Sequence, residues 1–135
     1  MSTHSMGNEG ELLVALTAQR KGYGVLFPFG HDKRYDLVID KAGKLERVQV
    51  KTVFSSEDKL VVHTRSLGKK DGKPQRKLYT SKEIDAFAIV DERTKKIYYV
   101  PIAIAENKDS VYLRFTASKN KQAKNVRYAK DFEQW

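Results

Sequence analysis

The chain has 135 residues, with 26 Lys plus Arg against 17 Asp plus Glu, a formal net charge of +9 and no cysteine. That length suits one hydrophobic core, and the lack of cysteine excludes a disulfide framework, a thiolate-held zinc or iron–sulfur centre and a cysteine nucleophile. At 40% hydrophobic and 32% charged residues, the composition is that of a folded globular chain. No apolar run is long enough for a membrane helix and the first residues lack a signal-peptide layout, so a cytoplasmic protein is expected.

In chain order, Asn8 can cap a helix whose apolar positions Leu12, Leu13, Ala15 and Leu16 follow a spacing near 3.6 until Gly22 closes it. Residues 1–6 then read as a flexible tail of a single domain spanning 1–135. Val25 to Phe29 is apolar and β-branched or aromatic, a short strand with Pro28 at an edge or end. Tyr35 to Asp40 and Leu45 to Val53 both alternate and are joined by Lys41-Ala42-Gly43-Lys44, which predicts a hairpin. Leu60 to Arg65 is expected to continue the sheet. Residues 67–78 lack periodicity and hold Gly68, Gly72 and Pro74, which predicts an exposed loop. Thr80 and Glu83 have the spacing of a capping box for a short helical turn. Ala86 to Val90, Ile97 to Val100 and Val111 to Phe115 read as strands, and Val126 to Phe132 as a terminal helix.

The positive charge is concentrated. Residues 1–66 carry ten basic and eight acidic side chains, whereas residues 67–135 carry sixteen and nine. Two runs hold most of the excess: Lys69, Lys70, Lys73, Arg76 and Lys77 against Asp71, and Lys119, Lys121, Lys124, Arg127 and Lys130 with no acid between them. Dense cations interleaved with Gly, Pro, Asn and Gln suit contact with phosphates, although a lysine-rich surface serving solubility has the same composition.

Centring the hairpin turn between Ala42 and Gly43 makes paired residue numbers sum to 85, so Asp36 faces Gln49. Gln49 and Lys51 then share one face of the sheet while Val48 and Val50 share the other. A carboxylate beside an amide oxygen suits a hard divalent cation, and a neighbouring ammonium can stabilise negative charge on phosphorus. The same spacing also fits an ordinary cross-strand ion pair of Asp36 with Lys51 and an exposed Gln49. Glu11, in the first turn of the helix, could bring a second carboxylate to the patch or simply complement the helix dipole.

Gly7-Asn8-Glu9-Gly10-Glu11 opening a helix, then Tyr35-Asp36-Leu37-Val38-Ile39, then Val48-Gln49-Val50-Lys51-Thr52, resembles the PD-(D/E)XK nuclease superfamily in order and spacing. Gln49 stands where the second acid is usual. This Gln-X-Lys form, with Phe27-Pro28-Phe29-Gly30 before it, is most similar to bacterial homing endonucleases associated with group I introns. Tyr79 to Phe87, Asn120-Lys121-Gln122 and Ala129-Lys130-Asp131-Phe132 extend the resemblance to about residues 7–133. It implies an α/β fold, a mixed sheet core flanked by helices, in a bacterial, archaeal or phage-encoded protein. It implies Asp36 as principal metal ligand, Lys51 as catalytic lysine, Glu11 as supporting acid with Glu9 as its rival, Gln49 at the missing acid's position and the Val50 carbonyl completing the site around Mg²⁺ or Mn²⁺. The implied activity is hydrolysis of double-stranded DNA, site-specific, by a dimer or tetramer. Lys69, Lys70, Lys73, Arg76, Lys77, Arg114, Lys119, Lys121, Lys124 and Arg127 would contact the DNA. A Holliday junction resolvase with a similar core, or a non-catalytic DNA-binding module, are the alternatives.

Other chemistries find little footing. His4, His31 and His63 have no metal spacing with one another, though His31 lies near the patch. No serine nucleophile elbow and no phosphate loop of Walker type is present. Tyr79, Tyr98, Tyr99 and Tyr112 could stack on bases or pack within the fold.

Overall fold

The computed structural model describes residues 1–117 and 126–135. It opens with α1 (Thr3–Arg20), capped by Ser2, whose Oγ accepts the Ser5 N–H at 3.1 Å. The cap thus lies six residues before the expected Asn8, and residues 3–6, expected as a tail, form the first turn of the helix. This turn is mostly exposed and needed no apolar spacing, so only the cap marked it.

Four further elements follow: β1 (Gly24–Leu26), β2 (Leu37–Lys41), β3 (Lys44–Val53) and β4 (Lys59–His63). The first of these strands stops before Pro28, which has no N–H to donate. The β2–β3 hairpin pairs Leu37 with Val48 and Lys41 with Lys44, the register anticipated from the turn. Ala42 and Gly43 both take positive φ, 54° and 96°, as a tight two-residue turn requires.

Residues 65–78 are not a loop. They form an antiparallel ribbon of β5 (Arg65–Lys70) and β6 (Lys73–Leu78), whose strands, among the described residues, pair only with each other. Both faces of its outer part are exposed, so no apolar alternation betrayed it. Thr80 and Glu83 make a hydrogen-bonded turn, Glu83 Oε1 accepting the Thr80 N–H at 3.3 Å, but no helix follows. The chain runs directly into β7 (Ala86–Asp91), β8 (Ile97–Pro101), a short α2 (Ile102–Ala105) and β9 (Ser110–Arg114). Instead of a terminal helix there is a single 3₁₀ turn, Ala129–Phe132, after Tyr128 has bridged to Arg114.

The main sheet has the order β1-β2-β3-β7-β8, and only β3–β7 is parallel. β4 does not continue it but pairs with β9 in a separate two-stranded sheet. β7 is buried along its whole length, as a central strand covered on both faces should be. On one face Val14 and Ala18 of α1 pack with Leu37, Ile39, Val48, Val50, Ala86, Ala88 and Val90. On the other, Phe87, Ile89, Tyr98 and Val100 meet Leu60, Val62, Val111 and Leu113 of the β4–β9 pair. Tyr79, Tyr98 and Tyr99 belong to these cores, and Tyr112 stays exposed.

Candidate active site

Beyond the Leu37–Val48 pair the two strands of the hairpin part. The Asp36 N–H still reaches the Val48 carbonyl at 2.8 Å, but the chain before it turns away, and Gln49–Val53 ladder on that stretch with β7. Asp36 sits in the resulting fork. Its Oδ2 accepts the Val50 N–H at 2.8 Å, which holds the carboxylate at the edge of β3. Gln49 does not face Asp36 as the hairpin register alone would have it but pairs with Phe87 of β7, and its Nε2 donates to the Val50 carbonyl at 3.3 Å. That carbonyl therefore faces the same fork.

Lys51 is half-buried, one turn of the pleat further on, with Nζ 3.4 Å from the Arg65 carbonyl and 5.4 Å from the centre of the Tyr79 ring. α1 supplies Glu11 from the opposite face of the sheet. Its approach depends on Gly10, which is buried against β3: a Cβ there would meet Thr52 Oγ1 and, at 3.6 Å, the Val50 side chain. Asn8, Glu11, Phe27, Pro28, Gly30, His31, Lys33, Tyr35 and Asp36 together line a cleft of about 390 Å³. Glu9, the possible rival of Glu11, is instead bound to Lys95 at 2.7 Å.

The electrostatics of the cluster are strained. Burial pushes the Asp36 carboxyl above the usual range, against the lowering effect of the Val50 N–H and the Lys51 ammonium. Burial also raises Glu11, and the Asp36 charge raises it further. Lys51 is pulled down by burial, with Asp36 opposing and Arg34 adding to the fall. A carboxyl raised by the charge of its neighbour, with a desolvated ammonium at their side, is an arrangement more typical of functional sites than of stabilising surface ion pairs.

The donor set fits a hard divalent cation: two carboxylates, an amide and a backbone carbonyl, all oxygen donors. Among the described residues no group of three His, Cys, Asp or Glu side chains forms a metal cluster. Gln49 and Val50 would therefore have to complete the ligands around Asp36 and Glu11.

The expected DNA-contacting residues separate. Lys69, Lys70, Lys73, Arg76 and Lys77 lie on the exposed β5–β6 ribbon. Arg76 is tied to Asp109 at 2.7 Å, and Lys77 is 3.9 Å from Glu83. Arg114 is on β9, away from the fork, where it donates to the Thr116 carbonyl and is 3.6 Å from Asp58. The Arg127 carbonyl accepts the Arg114 N–H at 2.8 Å. Lys119, Lys121 and Lys124 lie outside the described residues.

Two residues without a role in the sequence reading also belong here. Gly10 could have been found from its position beside Glu11 in a helix that must touch a sheet. Arg34, two residues before Asp36, reaches acceptors more than thirty positions away in the chain, and no local pattern announces that.

The whole chain, residues 1–135, matches the family model described as PD-(D/E)XK endonuclease. The solved structure of a bacterial homing endonuclease, I-Ssp6803I, is similar with a TM-score of 0.79 and 26% sequence identity, covering 99% of this chain and 90% of that one. Protein 5.3 of Escherichia phage T7 is 43% identical over 49 residues, which is 36% of this chain and 42% of that protein. The chain thus spans less than half the length of the phage relative. Among the described residues no helix is long and apolar enough to cross a membrane. Matched by that family model from end to end and sharing its mixed-sheet fold with a solved homing endonuclease, this chain belongs to the PD-(D/E)XK endonuclease family.

Proposed function

We propose that the chain is a divalent-metal-dependent endonuclease that hydrolyses phosphodiester bonds in double-stranded DNA at specific sites, as a homing endonuclease does. The observation that carries this reading is geometric: Asp36, held by the Val50 N–H, lines one cleft with Glu11, and the half-buried Lys51 lies beside it on β3. Asp36, Glu11, Gln49 and the Val50 carbonyl would hold Mg²⁺ or Mn²⁺. When bound, such an ion supplies a nucleophilic water at neutral pH and neutralises charge on the phosphate. The protein's own groups do the rest. Lys51 presents its ammonium where negative charge grows on phosphorus, and the Val50 N–H keeps the Asp36 carboxylate turned toward the fork. Gln49 lowers the negative charge of the site relative to a second acid, so Glu11 matters more.

The β5–β6 ribbon is the duplex-holding element of this reading: it is narrow, exposed on both sides and rich in lysine, and a two-stranded ribbon fits the major groove. One small subunit carries one such site, so cutting both strands calls for a dimer or tetramer.

The test is cleavage of a random-sequence duplex library, with and without Mg²⁺, beside a four-way junction. Metal-dependent cuts at a defined duplex sequence support the proposal. Cuts confined to the junction crossover, regardless of sequence, would make it a resolvase, and binding without cleavage would leave a DNA-binding module.

A further inference from the structure

We propose that Arg34 is a positioning residue that fixes the β5–β6 ribbon against the fork of β3, and thereby selects which phosphodiester bond of a bound duplex is presented to Asp36 and Lys51. The proposal rests on the nuclease reading above.

The Arg34 guanidinium is only 14% exposed. Nη1 donates to the Leu78 carbonyl at 2.6 Å and to Glu83 Oε1 at 2.8 Å. Nη2 donates to Ser66 Oγ at 2.8 Å and to the Lys77 carbonyl at 3.2 Å. Its plane lies over the Tyr79 ring, 3.6 Å from the centre. These acceptors belong to both strands of the ribbon at its base and to the turn that leads into β7. One side chain therefore joins the ribbon to the central sheet, and it does so two residues from Asp36.

The ribbon needs such a tie. Among the described residues its strands make no ladder with any other strand, so within them it is a lever attached at one end. Among the described residues its other side-chain ion pairs are Arg76–Asp109, the longer Arg65–Asp109 contact at 4.0 Å and Lys77–Glu83 at 3.9 Å, all more exposed than Arg34, and Arg65 also lies 3.3 Å from His63 Nδ1. Six residues of strand reach about 20 Å from the base, so a swing of about 5° displaces the tip by about 2 Å. Misplacing a reacting group by about 1 Å costs on the order of 100-fold in rate. The base of the lever also touches the chemistry directly, since Lys51 Nζ points at the carbonyl of Arg65, the ribbon's first residue. A lysine at position 34 keeps the charge but cannot present a planar fork to four acceptors.

Because the chain has no cysteine, two spin labels can be placed cleanly, in a Lys44→Cys, Gln75→Cys background, on the β2–β3 turn and on the ribbon. Pulsed electron resonance should give a narrow distance distribution with Arg34 intact and one at least about twofold wider in Arg34→Gln, with Arg34→Lys between them. In the unlabelled chain, single-turnover cleavage of prebound duplex should fall on the order of 100-fold in Arg34→Gln. Metal-free affinity for the same duplex should stay within about threefold, and the cuts should scatter onto neighbouring phosphates. A purely stabilising residue would lower the melting temperature without scattering the cuts. If Arg34→Gln does not fold, Ser66→Ala removes one acceptor of the same guanidinium and should widen the distribution to a smaller degree. Unchanged widths in the folded Arg34 variants, or in Ser66→Ala where these do not fold, overturn the proposal, as does a single unshifted cut at the wild-type rate. A wild-type chain that cuts no duplex sinks the nuclease reading instead, while the label distances still decide whether Arg34 holds the ribbon.

Discussion

Replacing Lys51 with methionine keeps an unbranched apolar stem and removes the ammonium alone. In the folded chain that ammonium gains little. Its hydrogen bond to the Arg65 carbonyl is long at 3.4 Å, and the Tyr79 ring centre is 5.4 Å away; together these are worth about 1 kcal/mol, offset by the cost of holding a cation out of water. Stability should therefore change by no more than about 1 kcal/mol, or about 3–5 °C in melting temperature for a domain of this size. A group that meets charge developing in a transition state is worth far more, on the order of 10²–10³ in rate or about 3–4 kcal/mol. Single-turnover cleavage of prebound duplex should fall by that factor while metal-free binding and the melting temperature hold. The pH dependence of stability gives a second check. Burial lowers the folded-state pKa of Lys51 below its ordinary 10.5, so between the two values the unfolded chain binds more protons and wild-type stability rises with pH. The methionine variant lacks that rise, and its stability relative to wild type should decline as pH climbs toward 10.5. Cleavage, binding and melting temperature collapsing together would refute the reasoning and reduce Lys51 to a structural residue.

Gln49→Glu should add an anion beside Asp36 and tighten Mg²⁺ or Mn²⁺ binding in calorimetric titration; an unaltered metal dependence would place residue 49 outside the ligand set. Gly10→Ala drives a Cβ onto Thr52 Oγ1 and should cost about 1–3 kcal/mol in denaturant melts. Thr52 Oγ1 is buried without a hydrogen-bond partner, so Thr52→Ala in the same chain should recover much of that loss, and simple additivity of the two changes would count against the close approach. Changing Lys69, Lys70 and Lys73 to Gln should lower the log–log salt slope of DNA binding by about 0.9 for each phosphate contact removed, and an unmoved slope would leave the ribbon's charge serving solubility.

The β2–β3 hairpin was legible because its cause is local. A two-residue turn at Ala42-Gly43 sets the register from Lys41–Lys44 to Leu37–Val48, but it does not carry on to an Asp36–Gln49 pair: Asp36 bonds to Val48 and Val50, and Gln49 pairs with Phe87 of β7. The ribbon was harder, since strands solvated on both faces carry no alternation. Its turn nevertheless had a readable mark in Asp71-Gly72, both at positive φ, 54° and 76°. In the segment from Tyr79 to Phe87 the Thr80–Glu83 spacing and the start of β7 are legible, but not what the turn holds. Its physical role is in two clamps: Glu83 on Arg34, and Asp85 on Arg47, whose Nε and Nη2 meet the carboxylate at 3.0 and 3.1 Å. Both clamps join residues 38 or more apart in sequence, beyond the reach of any window of periodicity.

β3 serves two partners along its length, and this orders the folding of the chain. Its first half closes onto β2 through a two-residue turn, a fast and local event. The half that carries Gln49 and Lys51 pairs in parallel with β7, which can happen only after the intervening chain has crossed over, a slower step with a larger loop to close. α1 docks on side chains from both strands, Val48 and Val50 together with Ala86, Ala88 and Val90, so Glu11 gains its final position only once that crossover is complete. During synthesis the β2–β3 hairpin can close early, but the full set of charged groups assembles after β7 has left the ribosome and paired. A chain interrupted before residue 86 would leave Gln49 and Lys51 without the strand they pair with, and an isolated hairpin is marginal in water.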